Sequence, residues 1–174
     1  MNESEPMPTA QPFEPGPEHA WLQRLVGEWV MEAEAAGHPS FTGSETVRPL
    51  GQAWIVAEGS FQAEGREPDS SLMMLGFDPE KKRFVGTWAG SALAYLWVYE
   101  GQFGDSEKIL NLDCMGPSMR GDGKLLPYRD VIEWVSEDER LLRGLVRDAD
   151  GSWQQFMVTR YRRRGAEGRS GDQV

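Results

Sequence analysis

The sequence consists largely of short segments in which polar and apolar residues alternate, separated by polar turns. The first segment, Glu28 to Ala36, alternates Trp29 and Met31 with mostly acidic neighbours, which is the period of two that β-strands show. Similar segments follow as far as Arg163. They are Gly43 to Leu50, Ala53 to Phe61, Ser70 to Phe77, the hairpin Arg83 to Gly101, Lys108 to Met115, Tyr128 to Val135, Arg140 to Asp148 and Ser152 to Arg163. This pattern predicts an all-β protein.

The short turns between consecutive segments restrict the topology. Strands joined in this way pair as antiparallel neighbours, and a wide, strongly twisted sheet tends to close on itself because closure removes its edges. We therefore predict a closed antiparallel up-and-down β-barrel of nine to ten strands. A two-sheet sandwich is the alternative, but its crossovers need longer connections than most of those in this sequence.

The two ends of the chain differ in composition from the strand region. Residues 1–16 are rich in proline and glutamate, and residues 165–174 are polar, so both are predicted to be disordered tails. Pro17 to Val26 carries a proline in its first turn and spaces Trp21 and Leu25 as a helix would, which predicts a short helix. The folded domain is predicted to span residues 17–164.

Composition and charge exclude several classes of function. A net charge of −10 argues against a nucleic-acid ligand, because binding a polyanion depends on many contacts from a basic face. The single cysteine, Cys114, allows no internal disulfide, and the first 25 residues hold no apolar run that would serve as a signal peptide or a membrane span. We expect a cytoplasmic protein that does not enter a membrane.

The motifs of common catalytic and metal sites are missing from the sequence. The two histidines, His19 and His38, are too few and too far apart for a histidine-based metal site, and no cysteine or histidine pair has zinc spacing. No nucleophile elbow or cofactor motif occurs either. The sequence therefore predicts no metal, no cofactor and no catalytic nucleophile.

The alternation also predicts which side chains point into the barrel. In Tyr128 to Val135 one alternate set carries two charges, Arg129 and Glu133, so the other set is placed inside, and it contains Asp130. In the central hairpin both faces are apolar, so its inward face is left open. The candidate cavity-lining residues are Trp54, Glu58, Trp88, Tyr95, Trp97, Tyr99, Tyr128, Asp130, Trp134 and Phe156.

An inward Asp130 has two interpretations. A buried carboxylate costs several kcal/mol unless it is paired or protonated. It either orients a small ligand inside an aromatic cavity, or it forms a structural ion pair, for which Arg160, Arg48 and Arg143 are the candidate partners. Glu58 is a second candidate for an inward acid.

Two resemblances bear on the fold. Gly27-Glu28-Trp29 at the start of the first strand, with Arg160 in the last strand, resembles the calycin or lipocalin-like barrels, in which a G-x-W tryptophan packs at the closed end against an arginine of the final strand. This resemblance implies that Trp29 and Arg160 form the pair at the barrel end.

A second resemblance covers most of Gly16 to Arg163. The stretches GPEHAWLQRLVGEW, GSETVRPLG, SLMMLGFDPEKKRFVGTWAGS, LWVYEG, YRDVIEWV and WQQFMVTRYRR are similar to an uncharacterised bacterial family, catalogued as domain of unknown function fifteen seventy-nine. The resemblance implies a lipocalin-like barrel and no assigned activity.

Three classes of function remain. The first is a barrel that binds a small apolar or aromatic molecule. The second is a structural barrel with a filled core that associates as a homodimer, with Val30, Leu141 and Leu145 as its predicted contact face. The third is an enzyme that uses a buried Asp130 or Glu58 as a general acid or base. We favour ligand binding.

Overall fold

The computed structural model describes residues 13–35, 40–63 and 65–165. Most of the predicted tails, residues 1–12 and 166–174, lies outside the described residues, as does His38. In this part of the chain, a seven-residue helix α1 (Pro17–Gln23) precedes ten strands. The strands are β1 (Gly27–Ala35), β2 (Phe41–Leu50), β3 (Trp54–Ala63), β4 (Asp69–Asp78), β5 (Arg83–Gly90), β6 (Trp97–Phe103), β7 (Ile109–Pro117), β8 (Leu125–Trp134), β9 (Glu139–Arg147) and β10 (Trp153–Arg163).

The ten strands form one closed barrel. Each strand pairs antiparallel with the next strand in sequence, and β1 also pairs with β10, where Trp29 lies opposite Arg163. The predicted up-and-down β-barrel is therefore confirmed, and the sandwich alternative is wrong. Closure leaves no strand edge unpaired, and each turn connects two neighbouring strands.

Helix α1 is shorter than the predicted Pro17 to Val26. After Gln23 the backbone tightens, because the amides of Leu25 and Val26 donate to carbonyls three residues earlier, those of Leu22 and Gln23. Gly27 then begins β1 with a φ of 141°, a backbone angle that other residues rarely adopt. This tight turn directs the chain from the helix into the first strand.

The strand register separates an inner face from an outer face. On β1, the buried Trp29, Met31 and Ala33 point inward, and they alternate with exposed residues such as Glu28 and Glu32. Cross-strand pairs extend this assignment around the barrel, because residues directly opposite each other share a face. Trp29, which is fully buried, therefore points inward.

One end of the barrel is covered by α1, and we call it the closed end. Trp21 packs edge-on against Phe84, Phe103 and Trp134, and its indole nitrogen donates to the Glu107 carbonyl at 2.6 Å. Leu22 beside it is fully buried. A continuous apolar core therefore fills this end of the barrel.

We call the opposite end of the barrel the open end. Several of its inward-facing side chains keep part of their surface accessible. Met73, Trp88, Trp97, Leu126, Val146 and Phe156 are all half-buried. All six pack against the buried core of the barrel.

The outer surface carries one row of exposed apolar residues across three strands. Met74 of β4 lies opposite Thr87 of β5, which lies opposite Val98 of β6. Leu72 and Val98 are 50% and 58% exposed. We call Leu72, Met74, Thr87 and Val98 the outer apolar face. The predicted contact face of Val30, Leu141 and Leu145 does not coincide with the outer apolar face. Leu141 is buried and Leu145 is half-buried, so only Val30 of these three is exposed.

Candidate functional site

Asp130 and Tyr99 form a polar pair inside the barrel. Asp130 on β8 lies between Leu112 of β7 and Gly144 of β9, and both of these neighbours are buried. The Tyr99 hydroxyl, from β6, donates to Asp130 Oδ2 at 2.6 Å. The inward position of Asp130 agrees with the strand alternation, because the buried Tyr128 and Ile132 flank it on the same face.

Asp130 has no ion-pair partner among the described residues. Arg48 pairs with Glu58, Arg143 with Glu133 and Arg160 with Glu139, so each predicted partner is engaged elsewhere. All three arginines lie on the outer side of their strands, opposite residues that also face outward. The interpretation of Asp130 as half of a structural ion pair is therefore wrong.

Burial shifts the protonation of this pair. It raises the pKa of Asp130 from 3.8 to about 6, against the opposing effect of the Tyr99 hydrogen bond. Burial, followed by the nearby carboxylate, raises the pKa of Tyr99 well above 10.0. At neutral pH, Tyr99 is therefore the donor and Asp130 the acceptor, and Asp130 exchanges its proton about one unit below neutrality.

Cys114 lies next to this pair and remains a thiol. Burial, with additional effects from Asp130 and Asp113, raises its pKa to about 12. Its sulfur contacts the Tyr128 carbonyl at 3.9 Å. A nucleophilic cysteine needs the thiolate, so the site offers proton transfer at Asp130 but no nucleophile at Cys114.

Aromatic rings line the barrel wall between Asp130 and the open end. Three of them lie across inward-facing glycines, where a Cβ atom would overlap the ring: Trp88 across Gly90, Trp97 across Gly116 and Phe156 across Gly144. Because these glycines have no side chain, the rings lie against the wall instead of projecting toward the barrel axis.

We call this group of inward-facing side chains the interior chamber. Its wall contains Trp88, Trp97, Tyr128 and Phe156, and the Tyr99–Asp130 pair forms its base. Tyr128 packs between two of the other rings: its ring centroid lies 5.0 Å from that of Trp97 and 6.0 Å from that of Phe156. Gly144, which Phe156 covers, lies directly opposite Asp130. The aromatic wall and the carboxylate are therefore adjacent.

Tyr95 lies at the rim of the interior chamber, just before β6. Its hydroxyl donates to the Met115 carbonyl at 2.9 Å, and its ring packs edge-on against Trp97. The indole nitrogen of Trp97 is buried with no acceptor among the described residues. Of the ten predicted lining residues, the structure brings seven together at this end of the barrel, and a cavity between them stays a prediction: Trp88, Tyr95, Trp97, Tyr99, Tyr128, Asp130 and Phe156.

Three of the predicted lining residues lie elsewhere. Glu58 faces outward, where it is 53% exposed and pairs with Arg48 at 2.8 Å. Trp54 also faces outward and lies across Gly76, the residue opposite it on β4. Trp134 points inward but belongs to the closed end, where its ring contacts Trp21 and Trp29. For Glu58 and Trp54 the cause is the same, because the buried Ile55 and Ala57 fix the inward face of β3.

Trp29 pairs with Arg163, so the predicted pairing with Arg160 is wrong. The Arg163 guanidinium lies 4.3 Å from the centre of the Trp29 ring. It donates to the carbonyls of Arg24, Val26 and Glu137 at 2.6, 2.8 and 3.0 Å. Arg160 lies on the outer face, paired with Glu139. The arginine that closes this end therefore comes three residues later in the same strand.

A β-bulge in β10 explains why Phe156 points into the barrel whereas Arg160 points outward. Phe156 and Arg160 have the same parity, so strict alternation places both inside. The register shifts between Gln155 and Met157, however, so Phe156 is the extra residue and the strand beyond it changes face. Phe156 therefore enters the interior chamber, while Thr159 and Tyr161, instead of Arg160, face inward.

Sequence reasoning missed a buried ion pair inside the barrel, opposite Trp29 and Trp134. The Arg140 guanidinium pairs with Glu45, and their side chains are 5% and 14% exposed. It also lies 3.8 Å from the centre of the Tyr161 ring. Glu45 was detectable, because it precedes the buried Val47 by two residues and therefore shares its face.

Three further observations concern the described part of the chain. It contains no group of three or more His, Cys, Asp or Glu side chains arranged to hold a metal ion. Nor does it contain a helix with the length and hydrophobicity needed to cross a membrane. A groove of 390 Å³ lies at the closed end, bordered by Arg24, Trp134, Glu137, Asp138 and Arg163. It is separate from the interior chamber.

Comparison with known families decides the classification. The profile of the family described as "Protein of unknown function (DUF1579)" matches residues 14–163. The chain belongs to this family. The match includes α1 and all ten strands, so family membership and barrel coincide. No curated protein sequence matches the chain.

Solved structures show the same fold at low sequence identity. The M. tuberculosis protein Rv2717c is 15% identical with a TM-score of 0.54, and the match covers 86% of this chain and 99% of that one. The S-type phycobiliprotein lyase CPES from Guillardia theta is 11% identical with a TM-score of 0.53, covering 83% and 90%. A redesigned β-barrel, mFAP0, bound to DFHBI is 9% identical with a TM-score of 0.48, covering 81% and 100%. The likeness to Rv2717c and to the lyase concerns the fold alone.

Proposed function

We propose that this protein binds a small, largely apolar or aromatic molecule in the interior chamber. The observation that carries the proposal is the placement of Trp88, Trp97 and Phe156 across inward-facing glycines. Rings that lie against the wall leave the barrel axis free, and the half-buried state of these side chains is consistent with such a space.

The geometry of the barrel supports an unfilled interior. The diameter of a β-barrel grows with the number of strands, and eight strands already give an interior that side chains just fill or that holds one small ligand. This barrel has ten strands. Its register also directs glycines inward, as at Gly86, which lies opposite the buried Tyr99. A wider barrel with less side-chain volume has room for a ligand.

The interior chamber also has the polarity that ligand sites share. Such sites are mostly apolar and aromatic, with a few polar groups that orient the ligand. Here the next inward-facing residues after Trp97 on β6 and Tyr128 on β8 are Tyr99 and Asp130, which form the hydrogen-bonded pair. A molecule that enters from the open end would place its apolar body against the rings and its polar end near Asp130.

Binding of an uncharged fluorescent probe tests this proposal. We expect the emission of N-phenylnaphthylamine to rise in a saturable way when the protein is added. Val146 faces inward opposite Tyr128, so Val146→Phe should occupy part of the interior chamber and weaken the affinity about tenfold or more. The neighbouring Leu145 faces outward opposite Arg129, so Leu145→Phe serves as the matched control and should leave the affinity unchanged.

The result that contradicts the proposal is equally clear. Either no saturable binding is seen with a folded protein, or Val146→Phe binds the probe as well as the Leu145→Phe control. The second outcome would place the probe outside the barrel.

A further inference from the structure

Asp130 is not paired with the nearest charged groups inside the barrel. These are Glu45 and Arg140, which lie opposite Trp29 and Trp134 toward the closed end. Glu45 and Arg140 pair with each other, and the Arg140 guanidinium is covered by the Tyr161 ring. Asp130 has no cation within 4.0 Å among the described residues. When Asp130 is ionised, one uncompensated negative charge therefore faces the interior.

The two carboxylate oxygens of Asp130 have different surroundings. Oδ2 accepts the hydrogen bond from Tyr99 at 2.6 Å. No described residue donates a hydrogen bond to Oδ1. This oxygen also keeps some accessible surface, because it is not among the fully buried polar atoms that lack a partner. Oδ1 is therefore free to accept a hydrogen bond from a molecule in the interior chamber.

The groups around this oxygen favour one sign of ligand charge. An ionised carboxylate in apolar surroundings is costly unless a positive group compensates it. The faces of aromatic rings also attract cations, and Phe156 lies across Gly144, the residue opposite Asp130. A carboxylate on the ligand would instead meet Asp130 as a like charge. Both features select for positive charge.

The geometry points to a small organic cation as the ligand: a protonated amine on an aromatic or apolar body, with its N–H groups donating to Oδ1 of Asp130 and its body against Phe156 and Trp97. This inference rests on the proposed binding function and adds the chemical class of the ligand. It names Asp130 as the residue that determines specificity and assigns Tyr99 the role of holding the carboxylate in place.

Three probes that share one naphthyl ring and differ in the charge of the attached group test the inference. Naphthylmethylamine, naphthylmethanol and naphthoate share one aromatic body and carry a positive, a neutral and a negative group. We expect calorimetric titration at neutral pH to show the amine binding about tenfold or more tightly than the alcohol, with naphthoate the weakest. Asp130→Asn should reduce the amine to the level of the alcohol while leaving the affinity for the alcohol within about twofold.

The control and the opposing outcomes separate this inference from the proposed function. Asp113→Asn removes the same charge on the outer face, where Asp113 pairs with Arg129, and should keep the preference for the amine. Alcohol affinity that equals amine affinity in the unaltered protein overturns the inference and leaves the binding function intact. Absence of binding by all three probes overturns both. Retained alcohol binding shows that the Asp130→Asn protein is folded.

Discussion

Asp130 combines two properties that usually exclude each other in a stable protein. It points into the barrel, and no cation among the described residues compensates its charge. Burial raises its pKa to about 6, so the protein keeps an ionised carboxylate inside at neutral pH at a cost in stability. Groups kept under such conditions are commonly functional, because stability alone would favour an apolar residue.

The raised pKa of Asp130 predicts how stability depends on pH. A carboxylate with a raised pKa binds its proton more tightly in the folded state, so its contribution is complete below about pH 4 and is lost as the pH rises through about 6. We expect that, relative to the unaltered protein, Asp130→Asn gains about 2 to 3 kcal/mol in free energy of unfolding between about pH 4 and about pH 8. Urea unfolding at both pH values measures this difference.

A matched variant isolates the effect of burial. Asp113→Asn removes a carboxylate that is half exposed and faces outward, so it should not reproduce the gain. If the difference between Asp130→Asn and the unaltered protein is the same at both pH values, Asp130 does not titrate in an apolar interior and the description of the site is wrong.

At the level of single residues, the sequence predicts the site where the alternation is unambiguous. Arg129 and Glu133 exclude one face of β8, and this places Asp130 inside correctly. On β3 the apolar pattern is weaker, and Glu58 as a candidate inward acid is wrong, because Ile55 and Ala57 occupy the inner face. The hydrogen bond from Tyr99 could not be predicted, because it joins two strands that are separated by β7.

At the level of elements, β10 shows how one irregularity changes a functional assignment. The bulge at Phe156 lets the strand contribute a ring to the interior chamber and, seven residues later, the arginine that covers Trp29. A bulge has no reliable signature in a single sequence, because it depends on the pairing with β9. The sequence therefore predicts that an arginine of the last strand packs on Trp29, but it points to Arg160 instead of Arg163.

Exchanging the two arginines for alanine tests this correction. Arg163→Ala removes the donor to three carbonyls and the nearer of the two cations beside the Trp29 ring, so we expect a loss of about 2 kcal/mol or more in the free energy of unfolding. Arg160→Ala removes an exposed ion pair with Glu139 and should cost less than about 1 kcal/mol. Chemical denaturation of both variants measures the contrast. Equal losses, or a larger loss for Arg160→Ala, would refute the assignment of Arg163.

For the whole molecule, the number of strands and their closure could be predicted, whereas the filling of the interior could not. Short turns and alternating segments are local properties, so they determine the ten-stranded barrel. Whether a ring lies against the wall depends on glycines that come from other strands, as with Trp97 of β6 across Gly116 of β7. Such contacts arise only after the barrel closes.

The outer apolar face leads to a prediction about association. With a net charge of −10, copies of this chain repel each other unless the contacting surfaces are locally balanced. Acidic residues near this face are already paired, Glu100 with Lys81 and Asp113 with Arg129. We propose a homodimer through the outer apolar face and expect Val98→Glu to shift sedimentation velocity profiles toward the monomer.

Val30→Glu provides the control for this experiment. Val30 is exposed on β1, outside the outer apolar face, and its replacement should leave the profile unchanged. A protein that sediments as a monomer at every concentration, or a dimer that persists in Val98→Glu, would contradict the proposed contact.

The interior chamber is the central feature of this account, and a crystal structure of the protein soaked with naphthylmethylamine tests it most directly. We predict that the naphthyl ring lies against Phe156 and Trp97, with the amine nitrogen within hydrogen-bond distance of Asp130 Oδ1. A structure in which the protein's own side chains fill the space above Asp130, or in which the amine binds only to the outer surface, would contradict the account.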